Sequence, residues 1–116
     1  MRPTIRERCE GIKERVARAA LRSGRDPSEI RLVAAVKSVP VDRILEAVEA
    51  GVEMLGENYV QEAQRLQERI EKPVQWHMIG HLQSNKAKQA VRLFDVIETV
   101  DREKIIEDLQ RSAHLE

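Results

Sequence analysis

The feature that most constrains this chain is an alternation: four times, a short apolar run is followed by a longer segment whose apolar residues recur at helical spacing. The apolar runs are 31–37, 52–55, 74–79 and 96–100, and their length suits buried strands. The segments after them are 41–50, closed by Gly51; 60–70, ended by Pro73; 85–94; and 105–109. Strands separated by single helices pair in parallel, because a parallel crossover needs the length of a helix, and such crossovers are right-handed. A further helix comes first. Thr4 and Glu7 have capping-box spacing, and Ile5, Cys9, Ile12, Val16 and Ala20 follow at helical intervals until Ser23-Gly24 supplies a stop. Asp26-Pro27 then opens the next element. The reading is an α/β chain forming a single domain over 1–116, with an N-terminal helix in 1–24 and four βα units in 31–114.

Two architectures accept that pattern: a doubly wound open sheet with helices on both faces, or an arc of a (β/α)8 barrel. The open sheet, when it carries phosphates, has a glycine-rich first turn, whereas here that turn is Lys37-Ser38-Val39-Pro40. The pair Gly51 and Gly56 is no Walker motif either, since no Gly-Lys-Ser/Thr follows. Composition narrows the function classes. Twenty basic residues balance twenty acidic ones, which argues against a nucleic-acid partner that would need a cationic surface. Apolar runs of a few residues fall far short of the roughly 20 that a membrane span requires. The charged start Met1-Arg2-Pro3 leads into no signal-peptide core, and the lone Cys9 suits a reducing compartment, so a cytoplasmic protein is expected.

Lys37 is the sharpest chemical feature. It ends the first strand at the C-terminal edge of a parallel sheet, where such folds build their sites. Burial there would favour the neutral amine, the form that attacks an aldehyde to make a Schiff base; the bland alternative is a lysine that snorkels to solvent. Gly56-Glu57-Asn58-Tyr59 ends the second strand and adds an acceptor, an amide and a phenol at the same edge, although Asn58, three residues before Gln61, has the spacing of a simple helix cap. The stretch from Trp76 through Lys86 is the densest in polar groups. Its His77 and His81 straddle a strand-to-loop transition with no third ligand in view, so no metal site is expected. Trp76 reads as packed core, Ser84 or Asn85 as a helix cap, and Asp101 as the cap of the last helix.

Taken together, Val33-Ala-Ala-Val-Lys37-Ser-Val-Pro40, Gly56-Glu-Asn-Tyr59 and Trp76-His-Met-Ile-Gly80-His-Leu-Gln-Ser-Asn-Lys86 closely resemble the pyridoxal phosphate homeostasis proteins, in order and spacing. That family resembles the N-terminal barrel domain of alanine racemase. The resemblance implies that the fold is half of a (β/α)8 barrel and that pyridoxal 5′-phosphate (PLP) is held as an internal aldimine on Lys37. It carries Asn58, His77 and Gly80 over as cofactor-binding, pocket-lining positions and assigns no catalytic residue. It also implies that the phosphate and pyridine-nitrogen contacts come from a second half beyond this chain, since a complete barrel takes about 250 residues and eight strands. The chain then reads as a truncated or engineered fragment, with Leu115-Glu116 a cloning remnant.

A half barrel leaves two strand edges and one sheet face open, and open edges template further pairing. A homodimer joined through the first and fourth strands is the expected solution; a monomer repacked as a flavodoxin-like sheet is the rival. For function, the resemblance implies a PLP-binding module rather than an enzyme. A PLP-dependent racemase or lyase would need a proton donor and an acceptor on opposite faces of the imine, one of them drawn from His77, Tyr59 or a second chain. A ligand-free half-barrel scaffold is the third possibility.

Overall fold

The computed structural model describes residues 3–115; the Met1-Arg2 start and the Glu116 of the terminal pair lie outside the described residues. The chain runs α1 (Ile5–Arg22), a 3-10 turn (Pro27–Glu29), β1 (Ala34–Ala35), α2 (Val41–Glu49), β2 (Met54–Glu57), α3 (Val60–Arg69), β3 (Gln75–Met78), a second 3-10 turn (Ser84–Lys86), α4 (Ala87–Leu93), β4 (Val96–Ile97) and α5 (Glu103–Leu115). No helix among the described residues is long and apolar enough to cross a membrane.

The four strands are parallel and lie in the order β1-β2-β3-β4. A sequential order without reversal decides between the two architectures, because right-handed crossovers that step in one direction place every helix on the same face. The packing agrees. Leu55, Trp76, Met78 and Val36 share one buried cluster with Ile44 and Val48 of α2, Ala63 and Leu66 of α3, Ala90 of α4 and Ile105 of α5. This is an α/β half barrel, and the flavodoxin-like alternative fails because it would need helices on both faces.

Register defines what lies on the other face. Ala35, Gly56, His77 and Val96 are paired across the four strands, and alternation along each strand turns them away from the helices. Gly56 is required there: a Cβ would meet Ile79 Cδ1 at 2.8 Å and Val33 Cγ1 at 3.1 Å, so these two side chains close over the glycine. Towards the β1 edge that cover ends, and Val33 and Ala35 are exposed.

Helix ends follow local chemistry where the cap is adjacent in sequence. Thr4 Oγ1 accepts from the Glu7 N–H at 3.1 Å and starts α1, and Asp26 accepts from the Ser28 N–H to start the first 3-10 turn. Gly24 takes φ 76° after α1, as its place behind the stop predicts. Elsewhere the expected caps fail. Asn58 is not the cap of α3, since Tyr59 holds that position and no side chain bonds there. Neither Ser84 nor Asn85 caps a helix: both lie inside a 3-10 turn that precedes α4, and no side chain bonds at its start. The Asp101 carboxylate accepts from the Arg102 guanidinium at 2.7 Å.

The first strand is shorter than its apolar run. Only Ala34–Ala35 pair with β2, because β1 is an edge with one neighbour and Lys37 already lies in a turn. β4 is likewise two residues, and β2 begins and ends two residues later than the apolar pattern suggested. The last helix extends well past the 105–109 window, over thirteen residues.

Candidate functional site

The C-terminal ends of the four strands carry the polar residues singled out by the sequence. Val36 to Val39 form a tight turn closed by the Val39 N–H on the Val36 carbonyl, with Lys37 and Ser38 at its centre. Ser38 takes φ 60°, a left-handed conformation that turns of this kind reserve for glycine, and holding it costs on the order of 1 kcal/mol. Lys37 is therefore presented at the sheet edge by a strained turn. Of the two alternatives left by the sequence, burial or a reach into solvent, the structure has the second: the residue is exposed, with no strand flanking β1 on its outer side. Among the described residues the amine has no hydrogen-bond or ion-pair partner.

Asn58 and Gly80 are brought together. The loop after β3 passes so close to the loop after β2 that a Cβ on Gly80 would sit 2.5 Å from the Asn58 carbonyl oxygen and 2.7 Å from its Cα. Thr99 Oγ1, from the end of β4, donates to the Gly80 carbonyl and ties the third loop into the same contact. Beside it lies a cleft of about 300 Å³ lined by Asn58, Tyr59, Gly80, His81, Gln83 and Lys86. Lys37 and His77 are not in its lining.

His77 is buried in β3 and held from both sides. Nδ1 stands 2.8 Å from Glu98 Oε1, and Nε2 stands 2.7 Å from the Gln75 side-chain oxygen. Gln75 is two residues upstream on the same strand face, and Glu98 follows β4, so the ring is fixed by its own strand and its neighbour. With both nitrogens engaged, His77 is a positioned wall and not a free proton shuttle. His81 turns to Asp101 at 3.7 Å and leaves His77. Glu98 was seen in the sequence only as part of a strand end; as a partner of His77 it has no local signal, since the two are 21 residues apart.

Glu57 departs from its neighbours. Alternation sends it to the helix side, where it is 2% exposed and its Oε2 has no hydrogen-bond partner. Burial, with the Glu62 carboxylate adding to it, pushes its carboxyl up to about 7. Tyr59 is 60% exposed. Glu57 thus turns into the helix layer, while Asn58 and the half-open Tyr59 both line the cleft at the sheet edge.

The geometry finds its match among known proteins. Residues 9–116 match the family described as alanine racemase, N-terminal domain. The pyridoxal phosphate homeostasis protein of Escherichia coli K12 is 42% identical over 110 residues, covering 90% of this chain and 47% of that protein. The protein of the same name from Pseudomonas aeruginosa is 41% identical over 115 residues, covering 97% and 50%. Among solved structures, PipY of Synechococcus elongatus with PLP bound superposes with a TM-score of 0.74 at 43% identity, covering 90% of this chain and 49% of PipY. An unknown protein from Bifidobacterium adolescentis gives a TM-score of 0.81 at 33% identity, covering 96% and 50%. The chain spans about half the length of the curated relatives it matches. A four-stranded parallel half barrel with a lysine at the end of its first strand, matched over most of its length, belongs to the alanine racemase N-terminal domain family.

Proposed function

We propose that this chain binds PLP through the amine of Lys37 and holds the cofactor rather than using it to transform an amino acid. The observation that carries the reading is the Lys37 amine itself: exposed at the C-terminal edge of the sheet, presented by the strained Ser38 turn and bonded to nothing else among the described residues. A lysine held in an ion pair would have to break it before its neutral amine could add to an aldehyde; Lys37 has no such pair among the described residues. Relatives named for pyridoxal phosphate homeostasis and a neighbour solved with PLP bound support the ligand class. When bound, PLP supplies an aldehyde that combines reversibly with a lysine amine.

The remaining residues shape the place where that amine stands. The glycine at position 80 lets two loops meet backbone to backbone beside Asn58, and His77 presents a ring that Glu98 and Gln75 keep in one orientation. A racemase or lyase would need a second mobile proton carrier, and the two candidates are poorly placed for it. His77 has both nitrogens occupied, and Tyr59 lines a cleft whose lining does not include Lys37. Holding is the chemistry left.

The test is to mix the chain with PLP, follow the visible spectrum, reduce with borohydride and map the added mass. A saturable yellow species trapped on Lys37 and lost in Lys37→Ala supports the reading. Diffuse labelling of many surface lysines, unchanged in the variant, overturns it and leaves an empty half barrel.

A further inference from the structure

We propose that the cleft between the loops after β2 and β3 binds a phosphate group, either free or as the monoester of a small molecule. The inference stands on what lines the cleft and is independent of the cofactor reading, since Lys37 lies outside that lining. β2 and β3 each have a strand on both sides, so the cleft belongs to the middle of the sheet's end and not to an open edge.

The lining combines charge of one sign with hydrogen-bonding capacity that the chain does not use. Lys86 is half-buried, and its ammonium has no hydrogen bond or ion pair among the described residues. A lysine drawn partly out of water with no acid beside it gives up hydration that nothing in the chain returns. From the other loop, the Asn58 side-chain amide is also half-buried and unbonded among the described residues. Tyr59, Gln61 and Gln83 add a phenol and two more amides with no side-chain bond of their own among those residues. His81 adds an imidazole of which only Nδ1 is engaged, 3.7 Å from Asp101. Among the described residues the lining includes no Asp or Glu, although acids equal bases in number along the chain. An anion is the partner this set lacks.

The number of donors selects the kind of anion. A carboxylate presents two oxygens, which the Lys86 ammonium and one amide would satisfy, whereas a phosphate group presents three strong acceptors and a larger charge. A lysine ammonium with amides and a hydroxyl around it suits that group. Val60, Met78 and Leu82 supply apolar surface in the same cleft, and its volume of about 300 Å³ lies at the small end of small-molecule sites, with room for an organic substituent on the phosphate.

Two-dimensional NMR of the 15N-labelled chain tests this, by titration with inorganic phosphate, glycerol 3-phosphate and acetate at constant ionic strength. Saturable shifts of the Asn58, Gly80 and Lys86 backbone amides are expected with both phosphates and not with acetate. Tighter binding of glycerol 3-phosphate identifies an ester as the occupant and equal binding identifies free phosphate; either supports the site. Lys86→Met keeps the apolar stem, removes the charge and should weaken binding by about tenfold or more. Gln83→Glu, at an exposed position of the lining, sets a like charge against the ligand and should also weaken it. Lys88→Met, exposed on α4 and outside the lining, should leave binding unchanged. The same spectra report that each variant folds. No saturable shift, shifts spread over the surface, acetate acting as well as phosphate, or undiminished binding in Lys86→Met each overturns the proposal.

Discussion

At the scale of residues, buried Glu57 makes the stability of the fold depend on pH. Its carboxyl titrates at about 7 in the folded chain against 4.5 in the unfolded one, so between those values the folded state keeps a proton that the unfolded state has lost. Stability then falls as pH rises from 4.5 to about 7 and levels off above, by a penalty on the order of 3 kcal/mol. Glu57→Gln keeps the shape and removes the charge. Urea unfolding of that variant should show higher stability than the parent at pH 8, equal stability near pH 4, and loss of the slope between; a parallel pH profile would refute the assignment. The glycines make a second contrast. Gly80→Ala drives a Cβ into the Asn58 backbone, which has nowhere to go, and should cost about 2 to 3 kcal/mol. Gly56→Ala meets the tips of Ile79 and Val33, which can rotate, and should cost less. Chemical denaturation of the two variants ranks them. Lys37 was legible in the sequence because a strand end is a local pattern, but the choice between burial and exposure was left open, since that depends on which strand lies next to β1.

At the scale of elements, helix ends are stabilised by side chains from neighbouring helices. Arg6 and Lys13 of α1 donate to the carbonyls of Glu49 and Gly51 at the end of α2, at 3.1 and 3.2 Å. Gln67 of α3 donates to the Leu93 carbonyl at the end of α4, at 2.7 Å. These bonds satisfy carbonyls that no helix can satisfy internally, and the basic ones also meet the negative end of the dipole. Gln67→Leu would leave the Leu93 carbonyl unpaired beneath partly buried packing. Its expected cost is about 1 to 2 kcal/mol in thermal or urea unfolding, and a change below a few tenths would remove the bond from the account. The four βα units and the first helix were readable from apolar spacing, as were the Thr4 and Asp26 caps. The borrowed caps were not. They join residues 26 to 43 positions apart, and a cap motif is read only when donor and acceptor are adjacent. Asn58, Ser84 and Asn85 miss the caps they were read for because α3 and α4 start later, after Tyr59 and Lys86, and the Asp101 carboxylate is taken by the adjacent Arg102 guanidinium.

At the scale of the whole molecule, a strand order that never reverses puts the helices on one face of the sheet. Small-angle scattering of the dilute chain should give a radius of gyration near the 16.1 Å of this shell, and a value of about 13 to 14 Å, that of a compact domain of this length, would mean that the helices repack across both faces.

The sequence by itself determined the sequence of elements, the parallel sense of the sheet, the family motifs and the presence of an amine at the end of the first strand. Each of these follows from short-range periodicity or from spacing within a dozen residues. Tertiary structure alone decided which way each strand-end side chain turned, sending Glu57 into the helix layer and leaving Lys37 at an open edge. It also decided the partners of His77 and the backbone contact at Gly80. Those outcomes depend on strand order and register, which bring together residues twenty or more positions apart, and no local pattern encodes that distance.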